Sequence, residues 1–128
     1  MSWDDDGPAG DAPLTPAVLH ILLALAEGER HGYAIMRAVA ADTAGAVRLG
    51  PGTLYRSIRG LLADGLIEES EARPDPALDD ERRRYYRLTA LGQRAAQAEV
   101  ERLSRLIALA RSKPLLQAAR LHPRAGGA

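Results

Sequence analysis

The stretch Leu49 to Leu66, LGPGTLYRSIRGLLADGL, restricts what this chain can fold into more than any other. Pro51 suits a first helical position, where its missing N–H would have no partner in any case, and Gly50 and Gly52 let the backbone turn tightly on either side. Leu54, Ile58, Leu61 and Leu62 then recur at intervals of three and four, which places them on one helical face. Arg56, Arg59 and Ala63 project from the opposite face, with Tyr55 on its flank. No acid occurs between Arg48 and Arg59, so positive side chains join the positive end of the helix dipole, an arrangement that favours phosphate. The pattern fits the DNA-reading helix of a helix-turn-helix, at about residues 51–64. It also fits an amphipathic surface helix with solvated arginines, and the neighbouring segments bear on the choice.

Upstream, Thr15 and Pro16 form a cap and first-turn signature for a helix to about Ala26. With Val18, Leu19, Ile21, Leu22, Leu23 and Leu25 it is apolar on nearly every side and belongs in a centre. His20 has no Cys, Asp or Glu at ligand spacing and reads as a satisfied or partly exposed histidine. Glu27, Gly28 and Glu29 break the pattern, and a short second helix follows from about Gly32 to Ala41. Val47 to Leu49 has the character of a brief strand leading into the reading helix. Two short helices joined by a compact turn satisfy the helix-turn-helix plan.

Downstream, Asp64 and Gly65 end the reading helix, and Leu66–Ser70 and Arg84–Leu88 read as the two strands of a hairpin. The connection between them carries Pro74, Pro76 and an acidic cluster, too long for a tight turn. Thr89 then caps a long helix from about Ala90 to Ser112, stopped by Pro114. Along it Ala96, Val100, Leu103, Ile107 and Ala110 recur at the seam spacing of a coiled coil. The seam wants a partner: a second copy across a two-fold axis is the expectation, and docking onto its own domain the alternative.

The chain of 128 residues has room for one compact domain and an extra element. It contains no cysteine, which excludes disulfides and thiolate metal sites and fits a cytoplasmic protein. Its longest apolar run, Val18 to Ala26, is too short to cross a bilayer, and the acidic N-terminus has the wrong sign for a signal peptide. No Ser-His-Asp set or phosphate-cradling glycine motif is apparent, so the sequence does not read as an enzyme, and no cofactor or metal is expected. Formal net charge is zero, but the acids gather in Asp4–Asp6, Asp11 and the loop residues Asp75 and Asp79–Glu81. Beyond Arg82 the only acids are Glu99 and Glu101, so a neutral total conceals basic surfaces.

Taken in order, His31-Gly32-Tyr33, Gly52-Thr53-Leu54-Tyr55, Asp64-Gly65-Leu66-Ile67 and Arg84-Tyr85-Tyr86-Arg87-Leu88-Thr89 with Gly92 resemble the PadR family of bacterial transcriptional regulators. The likeness covers roughly Leu14 to Ser112. It implies a winged helix-turn-helix that dimerises through its C-terminal helix and usually represses its promoters. With one helix after the wing, the chain is similar to the short subfamily. Carried across, the family's phosphate and groove contacts fall on Thr53, Tyr55, Arg56 and Arg59, with wing arginines at Arg82, Arg83 and Arg84. Arg56 stands where the family often has proline. Multidrug-sensing short members stack flat ligands on a tryptophan of the C-terminal helix, whereas the only tryptophan here is Trp3.

The expected fold is therefore mainly α (α+β): a disordered acidic tail over 1–13, a winged helix-turn-helix domain over 14–89, a C-terminal dimerisation helix over 90–113 and a short tail over 114–128. The expected function is a homodimeric regulator of transcription, a repressor, on double-stranded DNA with an inverted-repeat operator. A small-molecule inducer is an open expectation, and no membrane partner is expected. The alternative is a winged-helix module whose basic helix meets an acidic protein. The expected dimer interface is Ala96, Val100, Leu103, Ile107 and Ala110.

Overall fold

In the computed structural model, which describes residues 13–70, 77 and 84–115, the apolar first helix sits at the centre. The elements run α1 (Pro16–Ala26), β1 (Arg30–His31), α2 (Gly32–Asp42), α3 (Pro51–Ala63), β2 (Ile67–Glu69), β3 (Tyr85–Leu88) and α4 (Ala90–Arg111). Thr15 starts α1 by accepting the Val18 N–H at 3.2 Å, with Pro16 behind it. Leu19, Ile21, Leu22, Ala24 and Leu25 are buried, and α1 packs against α2, β3 and α4. Ile35 and Val39 of α2, Leu54, Ile58 and Leu61 of α3, and Ala95 of α4 complete the core with Leu66, Ile67 and Tyr86.

The small sheet is antiparallel in the order β1-β3-β2. Ile67, Glu68 and Glu69 face Leu88, Arg87 and Tyr86, as the hairpin reading expects. The third strand is new: Arg30 and His31 pair with Tyr86 and Tyr85 on the other side of β3. A two-residue strand has no periodicity to read, and its partners lie far along the chain. Arg30 also fastens this strand to the end of α1, donating to the Ala24 carbonyl at 2.9 Å and the Glu27 carboxylate at 2.8 Å. The expected strand at Val47–Leu49 is not formed. There the Val47 N–H donates to the Thr43 hydroxyl at 3.0 Å, so a side chain fixes the segment that a ladder would have held.

The junction between α3, the sheet and α4 is the tightest point of the fold. The Thr89 hydroxyl accepts the Gly92 N–H at 3.0 Å, which caps α4, and donates to the Gly65 carbonyl at 2.6 Å. The Thr89 N–H donates to the Leu66 carbonyl at 3.2 Å. A Cβ on Gly92 would overlap that same carbonyl, so the first turn of α4 can lie on the segment between α3 and β2 only without a side chain there. This contact accounts for a threonine three residues before a glycine.

Farther along α4, Glu99 is only 4% exposed. Arg102 donates to both of its oxygens, at 3.0 Å through Nε and at 2.5 Å through Nη2, and the Leu14 backbone N–H adds a third hydrogen bond that holds the entry to α1 against α4. The hydrogen bond from Arg102, reinforced by the Leu14 amide, holds the Glu99 carboxyl below the usual carboxylate value of 4.5 against the opposing effect of burial.

The expected N-terminal tail over 1–13, apart from Pro13, and most of the acidic connection and of the tail over 114–128 lie outside the described residues.

Two measurements check this packing. Gly92→Ala should lower stability by about 1–3 kcal/mol in urea unfolding, the scale of an overpacked core, whereas Gly60→Ala, in open space on α3, should raise it by about 0.5–1 kcal/mol. Because the Glu99 value is lowered by folding, its contribution is present above pH 4.5 and lost as pH falls further. Glu99→Gln should thus be less stable than wild type at neutral pH, with the gap closing in acid. A gap that widens on acidification contradicts the assignment.

Candidate nucleic-acid interface

Pro51 at the start of α3 and a Gly50 cap without a side chain leave the entrance of this helix unobstructed by a capping group. Leu54, Ile58 and Leu61 anchor the helix, and Thr53, Arg56 and Arg59 stand on its exposed surface. The sequence of α3 contains no acid, so that surface carries positive charge alone from its own residues. Arg48 is also exposed, on the approach to the helix. In the sequence it marks the boundary of the acid-free stretch, and its place three positions before the helix start is the signal that adds it to the site.

Tyr55 requires a correction. Helical spacing puts it on the flank of the basic face and makes it a phosphate donor, yet it is 9% exposed and belongs to the core. The buried arc of α3 is rotated by about one residue from the expected one, taking in Tyr55 and leaving Leu62 37% exposed. The reason lies on α2: a Cβ on Gly32 would overlap the Tyr55 ring and hydroxyl, so the missing side chain creates the space that the ring fills. Tyr55 thus holds α3 against α2 and does not present its hydroxyl to a ligand.

At the wing base Arg84 is exposed and lies 3.4 Å from Glu69. Both partners are largely solvated, so this pair contributes little and can open. Arg87 is held differently, 2.8 Å from Glu68 and 3.4 Å from Glu29, and Glu29 also accepts the Ser70 hydroxyl at 3.0 Å. Hydrogen bonding to Glu68, with its negative charge, raises the Arg87 value above its ordinary one. These contacts tie the wing strands to the turn after α1. Arg82 and Arg83 lie outside the described residues.

The expected seam on α4 divides into two parts. Ala96 is 9% exposed and Leu103 packs partly against the chain's own core, so the docking alternative holds for this end of the helix. Ala96 is a core residue here, drawn in because α4 lies across α1. Val100 and Ile107 are 43% and 52% exposed, and Leu106, which the regular spacing had passed over, is 50% exposed. Between α1 and α4 runs a groove of about 520 Å³ lined by Leu23, Ala26, Leu88, Ala96 and Val100, among others. Among the described residues no group of three His, Asp or Glu is placed to hold a metal, and no helix is long and apolar enough to cross a membrane.

A three-helix core with α3 exposed beside a small three-stranded sheet, followed by a long helix, defines a winged helix-turn-helix protein. It is similar to a transcriptional regulator from Clostridium thermocellum (24% identity, TM-score 0.62, covering 74% of this chain and 86% of that one). It is also similar in fold to Bacillus subtilis PadR, solved in complex with operator DNA (22% identity, TM-score 0.55, 71% and 48% covered). Residues 21–98 match the transcriptional regulator PadR-like family, and the chain belongs to that family. A further relative, an uncharacterized 37.1 kDa protein in a Streptomyces fradiae transposon, is 34% identical over 90 residues. The match covers 70% of this chain but spans only 24% of that protein's length.

Proposed function

We propose that this chain is a homodimeric DNA-binding repressor that reads an inverted-repeat operator through α3 and the base of the wing. The observation that carries the reading is the outer face of α3, where Thr53, Arg56 and Arg59 are exposed on a helix fixed from behind by Leu54, Tyr55, Ile58 and Leu61. An α-helix of this kind enters the major groove, where arginine is the side chain best suited to the guanine edge and to phosphates. Arg84 at the wing base follows the backbone beside each half-site, with Arg82 and Arg83 as further contacts.

Dimerisation is inferred from the second half of α4. Val100, Leu106 and Ile107 form an exposed apolar stripe whose burial needs a second copy, with the half-buried Leu103 and Ala110 between them on the same helical face. Two reading helices on one face of a duplex must lie about 34 Å apart, which makes the operator a repeat with the protein's own symmetry. Repression then follows from occupancy of the promoter. A small-molecule inducer would act from the groove between α1 and α4, because a ligand there changes how α4 seats and hence the separation of the reading helices, provided it binds one geometry better. Localisation in the cytoplasm and the absence of catalysis belong to this reading.

Replacing Arg56 or Arg59 by alanine should cost about 1–3 kcal/mol of operator affinity if that residue reaches a guanine, with relaxed preference at one position. Operator fragments selected from random duplexes and titrated at several salt concentrations provide the measurement. If the double variant keeps both affinity and salt dependence, α3 does not read DNA. In light scattering the wild type should be a dimer at roughly tens of micromolar and Ile107→Arg a folded monomer, since the exposed position tolerates charge only when unpaired with a second copy. A monomeric wild type contradicts the seam.

A further inference from the structure

A second basic surface begins where α2 meets α3. Tyr33 and Arg56 each stand one residue beyond the contact of Gly32 with Tyr55, and both are exposed. The Arg37 guanidinium lies 5.4 Å from the centroid of the Tyr33 ring. The His31 ring is also stacked with Tyr33, at 6.5 Å and 19°, and His31 meets Tyr85 of β3 edge-on at 5.2 Å. A row Arg37, Tyr33, His31, Tyr85 therefore runs from the exposed side of α2 to the base of the wing.

Its hydrogen-bonding character is fixed by the fold. His31 Nδ1 accepts the Ala34 N–H at 3.0 Å as the cap of α2, so a neutral His31 carries its proton on Nε2 as a donor. Among the described residues Arg37 has no carboxylate partner, in contrast to Arg30, Arg84, Arg87 and Arg102. Holding an arginine on a ring and not on an acid keeps its charge available while limiting its motion.

We propose that Tyr33, Arg37 and His31 form a phosphate-contact strip, gripping one strand of the duplex beside the groove that α3 occupies. The assignment rests on the DNA-binding reading above. The geometry follows from dimensions: packed helices lie about 8–10 Å apart, and the major groove is about 12 Å wide. A helix packed against the one in the groove therefore meets the groove's rim, which is the phosphate backbone. Donors alone, without acids among them, suit that ridge, and contacts of this kind position the protein without reading sequence.

The test is anisotropy titration of full-length protein on an arbitrary duplex of about 30 base pairs over a range of salt, because non-specific affinity reports phosphate contacts. Arg37→Gln should weaken binding about tenfold at low salt and reduce the slope of log affinity against log salt by about 0.9. Tyr33→Phe, which keeps the ring, should weaken binding about fivefold with the slope unchanged. Arg105→Gln on α4 removes the same charge elsewhere and should leave the slope as in wild type. If Arg37→Gln keeps the wild-type slope while Arg56→Gln with Arg59→Gln lowers it, the strip is refuted and DNA reading by α3 stands. Equal losses for Arg37→Gln and Arg105→Gln would reduce the effect to net charge and also refute it. A wild type without salt-dependent binding overturns the strip and the proposed function together.

Discussion

The backbone approach of Gly92 to the Leu66 carbonyl, with the Thr89 hydroxyl on Gly65, is the constraint from which the remaining geometry follows. Three elements end or begin within these few residues: α3 has just finished, β2 is about to start, and α4 takes its first turn. Joining them through backbone groups leaves little play, since hydrogen bonds to main-chain carbonyls lack the rotamer freedom of side-chain contacts. The direction of α4 is consequently set relative to α3. A long helix held at a fixed angle is a lever, and any force at its far end acts on the Gly65–Leu66 segment that follows α3.

A second close approach, Gly32 on Tyr55, sets the rotation of α3 about its own axis. With the ring accommodated under α2, the buried arc becomes Leu54, Tyr55, Ile58 and Leu61, and Arg56 is turned outward. A larger residue at position 32 would displace the ring and rotate the helix, shifting its arginines without touching them. The two glycines thus act on the same helix in different ways, one through its end and one through its azimuth.

Much of this was legible in the sequence, for identifiable reasons. Thr15-Pro16, Gly50-Pro51 and Thr89 are local signals, and the α-helices among the described residues lie where capping and 3.6-residue spacing put them. The paired strands β2 and β3 were likewise legible from alternation. Apart from Val47–Leu49, where the Thr43 hydroxyl four residues earlier replaces a ladder, what was missed depends on contacts distant in sequence. The strand at Arg30–His31 exists because β3 has a free edge beside it, and the inward turn of Tyr55 exists because position 32 lacks a side chain. The seam on α4 was legible as apolar spacing, but spacing does not say which residues the chain's own core will take, and it took Ala96 and part of Leu103. Of the candidate contact positions on α3, Thr53, Arg56 and Arg59 are exposed as their periodicity implies, whereas the ring that restrains Arg37 is visible only in three dimensions.

Zero net charge is compatible with a polyanionic partner because the acids and bases are not mixed evenly. In the turn after α1, in the wing and on α4, Glu27, Glu29, Glu68, Glu69 and Glu99 each face an arginine. Those pairs are nearly neutral beyond a Debye length of about 8 Å at physiological salt. The helix α3 has no acid in its sequence, and Arg37 on α2 is held by a ring instead of a carboxylate. From Gly32 to Asp64 the arginines Arg37, Arg48, Arg56 and Arg59 outnumber the acids Asp42 and Asp64. A neutral total thus conceals a local excess of positive charge over Gly32–Asp64, which favours approach to a polyanion without the indiscriminate attraction of a high total charge.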